Sequence, residues 1–409
     1  MISVEEALAI VLRETPPLGS EEILLEGSLG RVLAQEVRSD VDLPPFDRAA
    51  MDGYALRAED ARTAPVVLKI VGEVRAGQVP ERSVGAGEAI QIMTGAPVPP
   101  GASAVQAIEK TRLLEGGRVS IESAVEPRQH IAPTGSEVRA GEIVLKGGAP
   151  VDPATLGVLA SVGCVRVRVG LRPRLAVLVT GDELVPVGER PGPGRIRNSN
   201  GIAVLAQARW AGAHVRSLGI VPDDAPRITD AIEAGLDADI LVVSGGVSAG
   251  AYDLVEAAFA RVGVQVFFER VAIKPGAPLV FGRRKNVLVF GLPGNPVSAQ
   301  VTFDIFVRAA LLRMQGTRTV RRPRVEVELL SSLRNKSGRE AHLPALVRSE
   351  AGRLVAEPLR SAGSADVLAH ARANALLILE AERSEASAGE RASALLLGNF
   401  LERDGVALP

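Results

Sequence analysis

D-I-L-V-V-S-G-G-V-S-A-G-A-Y-D, residues 239–253, is the stretch whose reading decides the fold. Its first half, Ile240 to Val243, is apolar without alternation, the pattern of a parallel strand covered on both faces. Its second half breaks into small residues and ends on Asp253, and Gly245, Gly246 and Gly250 let backbone N–H groups approach a ligand closely. A buried strand emptying into such a loop predicts a binding site outside the carboxyl end of a strand. A glycine-rich turn that only reverses the chain is the competing reading of these residues taken alone.

The residues on either side alternate strand and helix. Strands are predicted at Leu175 to Val179, Val215 to Val221, Val264 to Phe268 and Val287 to Phe290. Helices are predicted near Asn200 to Ala211, Ala225 to Gly235, Leu254 to Val262 and from Pro296 onward. This order specifies a doubly wound, mostly parallel sheet with helices on both faces, and right-handed crossovers bring the strand ends to one rim. Six polar, glycine-bearing loops fall there: T-G-D-E (180–183), N-S-N (198–200), D-D (223–224), S-G-G-V-S-A-G-A-Y-D (244–253), K-P-G (274–276) and L-P-G-N-P (292–296). They offer Glu183, Asn200, Asp223, Ser244, Gly245, Gly246, Ser248, Asp253, Lys274, Pro275, Pro293, Asn295 and Pro296 to a ligand. Each loop also has a purely structural reading: Asp182 and Asp223 as helix N-caps, Pro293 and Pro296 as rigid punctuation.

Outside this unit the chain changes character. Val4, Ala7, Leu8, Val11 and Leu12 recur at helical spacing behind a Ser3/Glu6 capping box, and a second helical piece is expected near Ser28 to Glu36. Residues 42–54 form a shaped loop with acids at 42, 47 and 52 that either hold a cation or face water, Asp52 being favoured for the former. Val66 to Val125 reads as a β-rich insert in which Thr94 and Gly95 end a strand; Thr94 caps a turn or offers its hydroxyl to a phosphate. A helix from Asp152 to Ser161 and a basic strand follow, and if they pack on the first helix the insert is bracketed by one domain in two pieces. After Gly316, R-R-P-R (321–324) reads as a solvated hinge into a β domain whose turns carry Arg339 and Ser364, either of which could reach an anion. The expected division is 1–38 and 137–170 as two parts of a linker domain, 39–136 as the β-rich insert, 171–318 as the α/β domain and 319–409 as a C-terminal, β-barrel-like domain. The fold class is therefore multidomain α/β plus β.

Composition narrows the chemistry. With 47 basic and 48 acidic residues in 409, the formal charge of -1 argues against a bulk polyanion such as nucleic acid, although a local cluster can still hold a small anion. Lysines occur only at 69, 110, 146, 274, 285 and 336, so Lys274 beside Pro275 and Gly276 stands out among arginines. Cys164 is the only cysteine, which excludes an internal disulfide and a thiolate metal site, and the four histidines lack metal-ligand spacing. The first residues carry acids and no basic leader, and no apolar run approaches about 18 residues, so a cytoplasmic protein without a membrane segment is expected. Asp52, Glu183, Asp223 and Asp253 are hard oxygen ligands suited to Mg²⁺. Phosphate or oxyanion handling, with neutralisation by a metal and by Lys274, is the chemistry they suggest.

In order along the chain, M-D-G-Y-A, M-T-G-A-P-V-P-P-G-A, T-G-D-E-L, N-S-N, S-G-G-V-S-A-G-A-Y-D, K-P-G-A-P and L-P-G-N-P-V-S resemble the molybdopterin molybdenumtransferase family, which includes the gephyrin E domain. The resemblance implies a four-domain homodimer that converts adenylylated molybdopterin and molybdate to the molybdenum-bearing cofactor, with Mg²⁺ and with release of AMP. It also leaves open a contact with molybdopterin adenylyltransferase. By motif, Asp52 and Thr94 fall on functional positions of the insert. Glu183, Asp223 and Asp253 fall on the acids around pyrophosphate and metal, and Lys274 on the anion-binding lysine. Arg270 stands where a second lysine is common, and Arg339 and Ser364 correspond to molybdate contacts. Where the family carries R-R-x-G-E-D, this chain reads Q-H-I-A-P-T-G-S-E (129–137), without arginine. A gephyrin-like scaffold and a nucleotide pyrophosphatase on the same α/β domain are the alternatives.

These readings predict that Asp253→Ala abolishes AMP release from adenylylated molybdopterin while circular dichroism and melting stay those of the wild type. Unchanged turnover would count against the enzyme reading.

Overall fold

The computed structural model describes residues 1–245 and 252–398, Tyr252 and Asp253 in backbone only. Helix α1 spans Val4–Glu14 behind the expected capping box: Ser3 Oγ accepts from the Glu6 N–H at 3.1 Å and Glu6 Oε2 accepts from the Ser3 N–H at 2.9 Å. Its buried stripe, Val4, Ala7, Leu8 and Val11, joins the core of the α/β domain, and the Ala272 N–H bonds the Ile2 carbonyl at 2.7 Å. The first helix therefore does not pack on the segment that precedes the α/β domain.

That role falls to strand β1, Ser20–Leu24, which pairs antiparallel with Arg166–Gly170 and closes the base of the insert. The helix expected at Ser28 to Glu36 is absent. Val32 and Leu33 are both buried although adjacent, and Gly30 takes φ +73°. Their backbone bonds go to distant chain instead, with Gly30 N–H to Val151 O at 2.8 Å, Leu33 N–H to Ala149 O at 2.9 Å and Ala34 N–H to Arg168 O at 2.9 Å. Tertiary pairing has overridden local helix propensity.

The insert is a six-stranded sheet of β2 (Gly53–Leu56), β3 (Val66–Val74), β4 (Glu88–Ile92), β5 (Ala104–Ala107), β6 (Thr111–Leu114) and β7 (Arg118–Ile121) in the order β5-β2-β4-β3-β7-β6. The chain returns through α2 (Pro153–Ser161), capped by Asp152, and β8 (Arg166–Gly170).

The α/β domain follows: β9 (Arg174–Thr180), α3 (Ser199–Trp210), β10 (His214–Val221), α4 (Ala225–Gly235), β11 (Ile240–Ser244), α5 (Tyr252–Arg261), β12 (Gln265–Arg270), β13 (Ile273–Lys274), β14 (Pro278–Arg284) and β15 (Val287–Leu292). The sheet order is β10-β9-β11-β15-β14-β12; the first four strands run parallel, and β14 is antiparallel to both of its neighbours, β15 and β12. Strand β14 was not expected. All five residues of β11 are buried, as a doubly covered strand requires. Helix α3 covers one face with α1 and the long helix that follows β15, while α4 and α5 cover the other. Because β9 leads outward to β10 on one side and β11 lies on the other, the strand order reverses between β9 and β11. That crevice is where such sheets bind ligands.

The helix after β15 runs as α6 (Pro296–Thr302), a π-turn segment at Phe303–Val307, and α7 (Arg308–Met314). The C-terminal strands β16 (Arg324–Leu329), β17 (Glu340–Glu350), β18 (Arg353–Pro358), β19 (Ala375–Leu379) and β20 (Arg391–Leu396) close on themselves through the β17–β19 pairing, with α8 (Val367–Arg372) at one end. The domain is thus a five-stranded barrel, and the sequence did not disclose β17, its longest strand, because Pro344 reads as a break. Among the described residues no helix is long and apolar enough to cross a membrane.

R-R-P-R is not a solvated hinge. Arg321 pairs with Glu5 of α1, and Arg322 grips Asp304 in the π-turn with contacts of 2.8, 3.0 and 2.7 Å. Asp304 is 6% exposed at its side chain and Arg322 15%, and Arg308 close by is held below the usual guanidinium range by burial and by Arg322. Removing Asp304 leaves two arginines uncompensated in a largely dry site. Asp304→Ala is therefore expected to destabilise the protein by about 3 kcal/mol in urea unfolding, whereas a loss under about 1 kcal/mol would show that the pair is effectively solvated.

Candidate active site

A cavity of about 990 Å³ opens at the crevice between β9 and β11 and is closed on its far side by the barrel. The two strand ends touch. Gly245 has φ +98°, and a Cβ there would lie 2.2 Å from the Thr180 carbonyl oxygen, so glycine is required for the close approach. Gly276 follows Lys274 and Pro275 with φ +109°, and a Cβ would stand 2.5 Å from Thr302 Cγ2.

The barrel is sewn to the rim by backbone. Strand β13 pairs in parallel with the start of β17, Ile273 opposite Glu340 and Lys274 opposite Ala341, and the Glu340 N–H bonds the Ala272 carbonyl at 3.0 Å. On the other side of the opening the Val297 N–H reaches Ser364 O at 3.0 Å and Asn295 Nδ2 donates to Ser364 Oγ at 2.7 Å.

Most of the residues singled out in the sequence meet in this cavity. Glu183, Asn200, Asp223, Ser244, Gly245, Lys274, Pro275, Pro293, Asn295 and Pro296 line it from the α/β domain, Arg339 and Ser364 from the barrel. Ser244 is fully buried and Asn200 is 8% exposed; Asn200 Nδ2 donates to Ser244 Oγ at 3.1 Å and to the Gly294 carbonyl at 2.7 Å, so the pair braces the wall. The caps of the two rim helices are Asn198 and Asp224, which leaves the carboxylates of Asp182 and Asp223 for other work. Gly246, Ser248 and the side chain of Asp253 lie outside the described residues.

Three of the residues are elsewhere. Asp52 and Thr94 meet each other in the insert: Asp52 Oδ1 accepts from the Thr94 N–H at 2.6 Å and from Thr94 Oγ1 at 2.7 Å, and these bonds hold its carboxyl below the usual range. Asp47 grips Thr134 in the same way, at 2.7 and 3.0 Å, and Asp42 accepts from the Ala140 N–H at 2.8 Å. The loop acids thus bind backbone donors rather than face water idly. Arg270 is exposed at the end of β12, opposite Pro278.

Asp223 and Lys274 set the electrostatics. Burial pushes the Asp223 carboxyl above the ordinary carboxylate range; the Asp182 backbone lowers it in part, while the charges of Asp182 and Glu183 raise it further. Asp223 Oδ1 is buried with no hydrogen-bond partner among the described residues. No described acid pairs with the half-buried Lys274, and Arg197 and Arg339 also line the cavity. An orphaned carboxylate oxygen beside two further acids suits a cation, while three cationic side chains suit an anion.

Two titratable lining residues escaped the sequence. Arg197 precedes the N-S-N loop, where only the cap signal was legible. His342 sits within an apolar strand; its side chain is 1% exposed and its Nε2 lies 2.7 Å from Glu340 Oε1. Burial pushes the Glu340 carboxyl up, yet the hydrogen bond and charge of His342, with Arg324, leave it below the usual range.

Comparison with known proteins agrees with this architecture. Residues 2–163 match the MoeA N-terminal region (domain I and II), 176–313 the probable molybdopterin binding domain, and 326–397 the MoeA C-terminal region (domain IV). The chain is 34% identical to the molybdopterin molybdenumtransferase of Haemophilus influenzae over 95% of its length and 97% of the relative's. It is 34% identical to that of Bacillus subtilis over 97% and 94%. The crystal structure of the molybdopterin biosynthesis moeA protein from Pyrococcus horikoshii OT3 superimposes with a TM-score of 0.83 at 30% identity, covering 97% of this chain and 100% of that one.

The raised Asp223 carboxyl has a stability consequence of definite sign. The folded chain binds that proton more readily than the unfolded chain, so the associated stability is complete below the ordinary carboxylate range and is lost as pH rises through the raised value. Asp223→Asn should therefore melt higher than the wild type at pH 7, with the gap closing as the buffer is acidified below that range. A gap independent of pH would overturn the assignment.

Proposed function

Because the chain belongs to the molybdopterin molybdenumtransferase family, and is thus an enzyme of molybdenum cofactor biosynthesis, we propose that its cavity takes adenylylated molybdopterin and molybdate and, with Mg²⁺, forms the molybdenum-bearing cofactor with release of AMP. The observation that supports this most is that Glu183, Asp223, Lys274, Arg339 and Ser364, drawn from two domains, line one cavity.

The residues divide the work by charge. Lys274 sits on the backbone seam itself, so β13 fixes the root of its side chain at the cavity wall, from which it presents a compact charge to molybdate or to a departing phosphate oxygen. Arg339 and Ser364 act from the barrel wall, where a guanidinium and a hydroxyl donate to an oxyanion. Asn200 holds Ser244 and the Gly294 carbonyl, keeping the strand ends at fixed separation while the substrate binds.

Asp223 and Glu183 would hold Mg²⁺. The fit rests on the unpartnered Asp223 oxygen and on its raised carboxyl, both of which a nearby cation would relieve. Among the described residues no three His, Cys, Asp or Glu side chains converge as a ligand set, and Mg²⁺ often rests on one or two carboxylates with phosphates and water supplying the remainder. When bound, the ion neutralises charge on the phosphoanhydride.

We further propose a homodimer, in which Asp52 and Thr94 of the insert serve a second copy's cavity, since in their own chain they do not line it.

The deciding experiment follows AMP and cofactor formation from adenylylated molybdopterin, Mg²⁺ and molybdate. Lys274→Ala should lower AMP release by about 100-fold or more, in line with loss of a charge aimed at a developing anion. Wild-type turnover that needs no molybdopterin, for instance hydrolysis of common dinucleotides, would instead assign a pyrophosphatase.

A further inference from the structure

Arg197 stands on the same rim without a role in this scheme. It lies on the second strand of a short parallel ribbon, Leu184–Val185 with Ile196–Arg197, so its backbone is tied to the segment carrying Glu183. The Ile196 N–H donates to Glu183 O at 2.8 Å and the Asn198 N–H to Val185 O at 3.0 Å. The side chain is held as well: its single Nε–H is shared between the carbonyls of Val187 and Glu189, each at 3.0 Å. Ribbon and side-chain anchors together set the plane of the guanidinium.

What remains is a prepared fork. The two terminal nitrogens carry four N–H donors, and none bonds a described residue; nor does Arg197 pair with Glu183 or Asp223, the carboxylates of the same rim. Asn198, the next residue, caps α3 by accepting from the Gly201 N–H at 2.8 Å, and Ser199 and Asn200 continue the wall. The cations of the cavity are thereby sorted by wall. Arg339 stands on the barrel, while Arg197 stands on the sheet rim beside the carboxylates suited to a metal. A planar fork fits two oxygens of one phosphate, where Lys274 offers a point charge.

We propose that Arg197 is a substrate-binding residue whose terminal nitrogens take the phosphate oxygens at the nucleotide end of the substrate, setting the preference for an adenylylated pterin over its bare phosphate. This rests on the function proposed above.

The test uses the full-length protein with Arg197→Gln and Arg197→Lys, and AMP as the probe in calorimetry without molybdate. AMP should bind about tenfold more weakly to Arg197→Gln, the loss of one charge-assisted contact, and Arg197→Lys should recover only part of it. In turnover, KM for the adenylylated substrate should rise while the molybdate concentration giving half-maximal rate stays unchanged. Wild-type affinity for AMP in Arg197→Gln, or an equal loss for AMP and molybdate, overturns the proposal. If AMP binding falls as expected but the wild type does not turn over, the nucleotide contact stands and the activity reading fails. Normal turnover with unaltered AMP binding sinks the Arg197 assignment alone.

Discussion

Two residues of parallel backbone pairing, Ile273–Lys274 against Glu340–Ala341, are the constraint on which the site depends. The sheet rim alone is an open crevice and the barrel alone a closed unit. Only their apposition encloses a volume with Lys274, Arg339 and Ser364 on its walls. Because the seam is made of backbone hydrogen bonds, reinforced by Val297 with Ser364 and by Arg322 with Asp304, the relative placement of the two domains does not rest on exposed ion pairs of small individual worth.

Charge is sorted at the scale of the cavity, not of the chain. The protein as a whole is nearly neutral, yet Lys274, Arg197 and Arg339 line the same cavity as Glu183 and Asp223. In a partly desolvated site opposite charges that do not meet are strongly felt by whatever binds between them. The raised carboxyl of Asp223 reports its burial and the like charges of Asp182 and Glu183, which no cation of the cavity offsets before a ligand enters.

The sequence disclosed the parts whose signal is local. Ile240 to Val243 read as a doubly covered strand because nothing polar interrupts it, and the rim loops showed themselves by glycine and acid after each apolar run. Ser3 and Glu6 announced α1 for the same reason. What escaped was decided at a distance. Residues 28–36 look helical until their hydrogen bonds are traced to residues 149–168. Strand β17 runs unbroken through Pro344, which sits in register opposite Leu376 of the neighbouring strand, although a proline there reads as a break in the sequence. The arginines at 321 and 322 look solvated until Glu5 and Asp304 are placed beside them. Within the site, the motifs marked the residues of the rim, but not that Arg197 is held by the carbonyls of Val187 and Glu189, nor that Asp52 and Thr94 sit apart from the cavity.

The attachment of α1 to the α/β domain has a consequence for how the protein is made. Val4, Ala7, Leu8 and Val11 find their cover in Phe303, Phe306 and Leu311, at the opposite end of that domain. On a ribosome adding about 5–20 residues per second, the greasy stripe of the first helix leaves the exit tunnel and waits roughly 15–60 s for its partners to be synthesised. The insert, whose six-stranded sheet falls within residues 53–121, has time to fold while the helix waits. The stripe of α1 thus stays uncovered until a domain completed some 300 residues later can receive it.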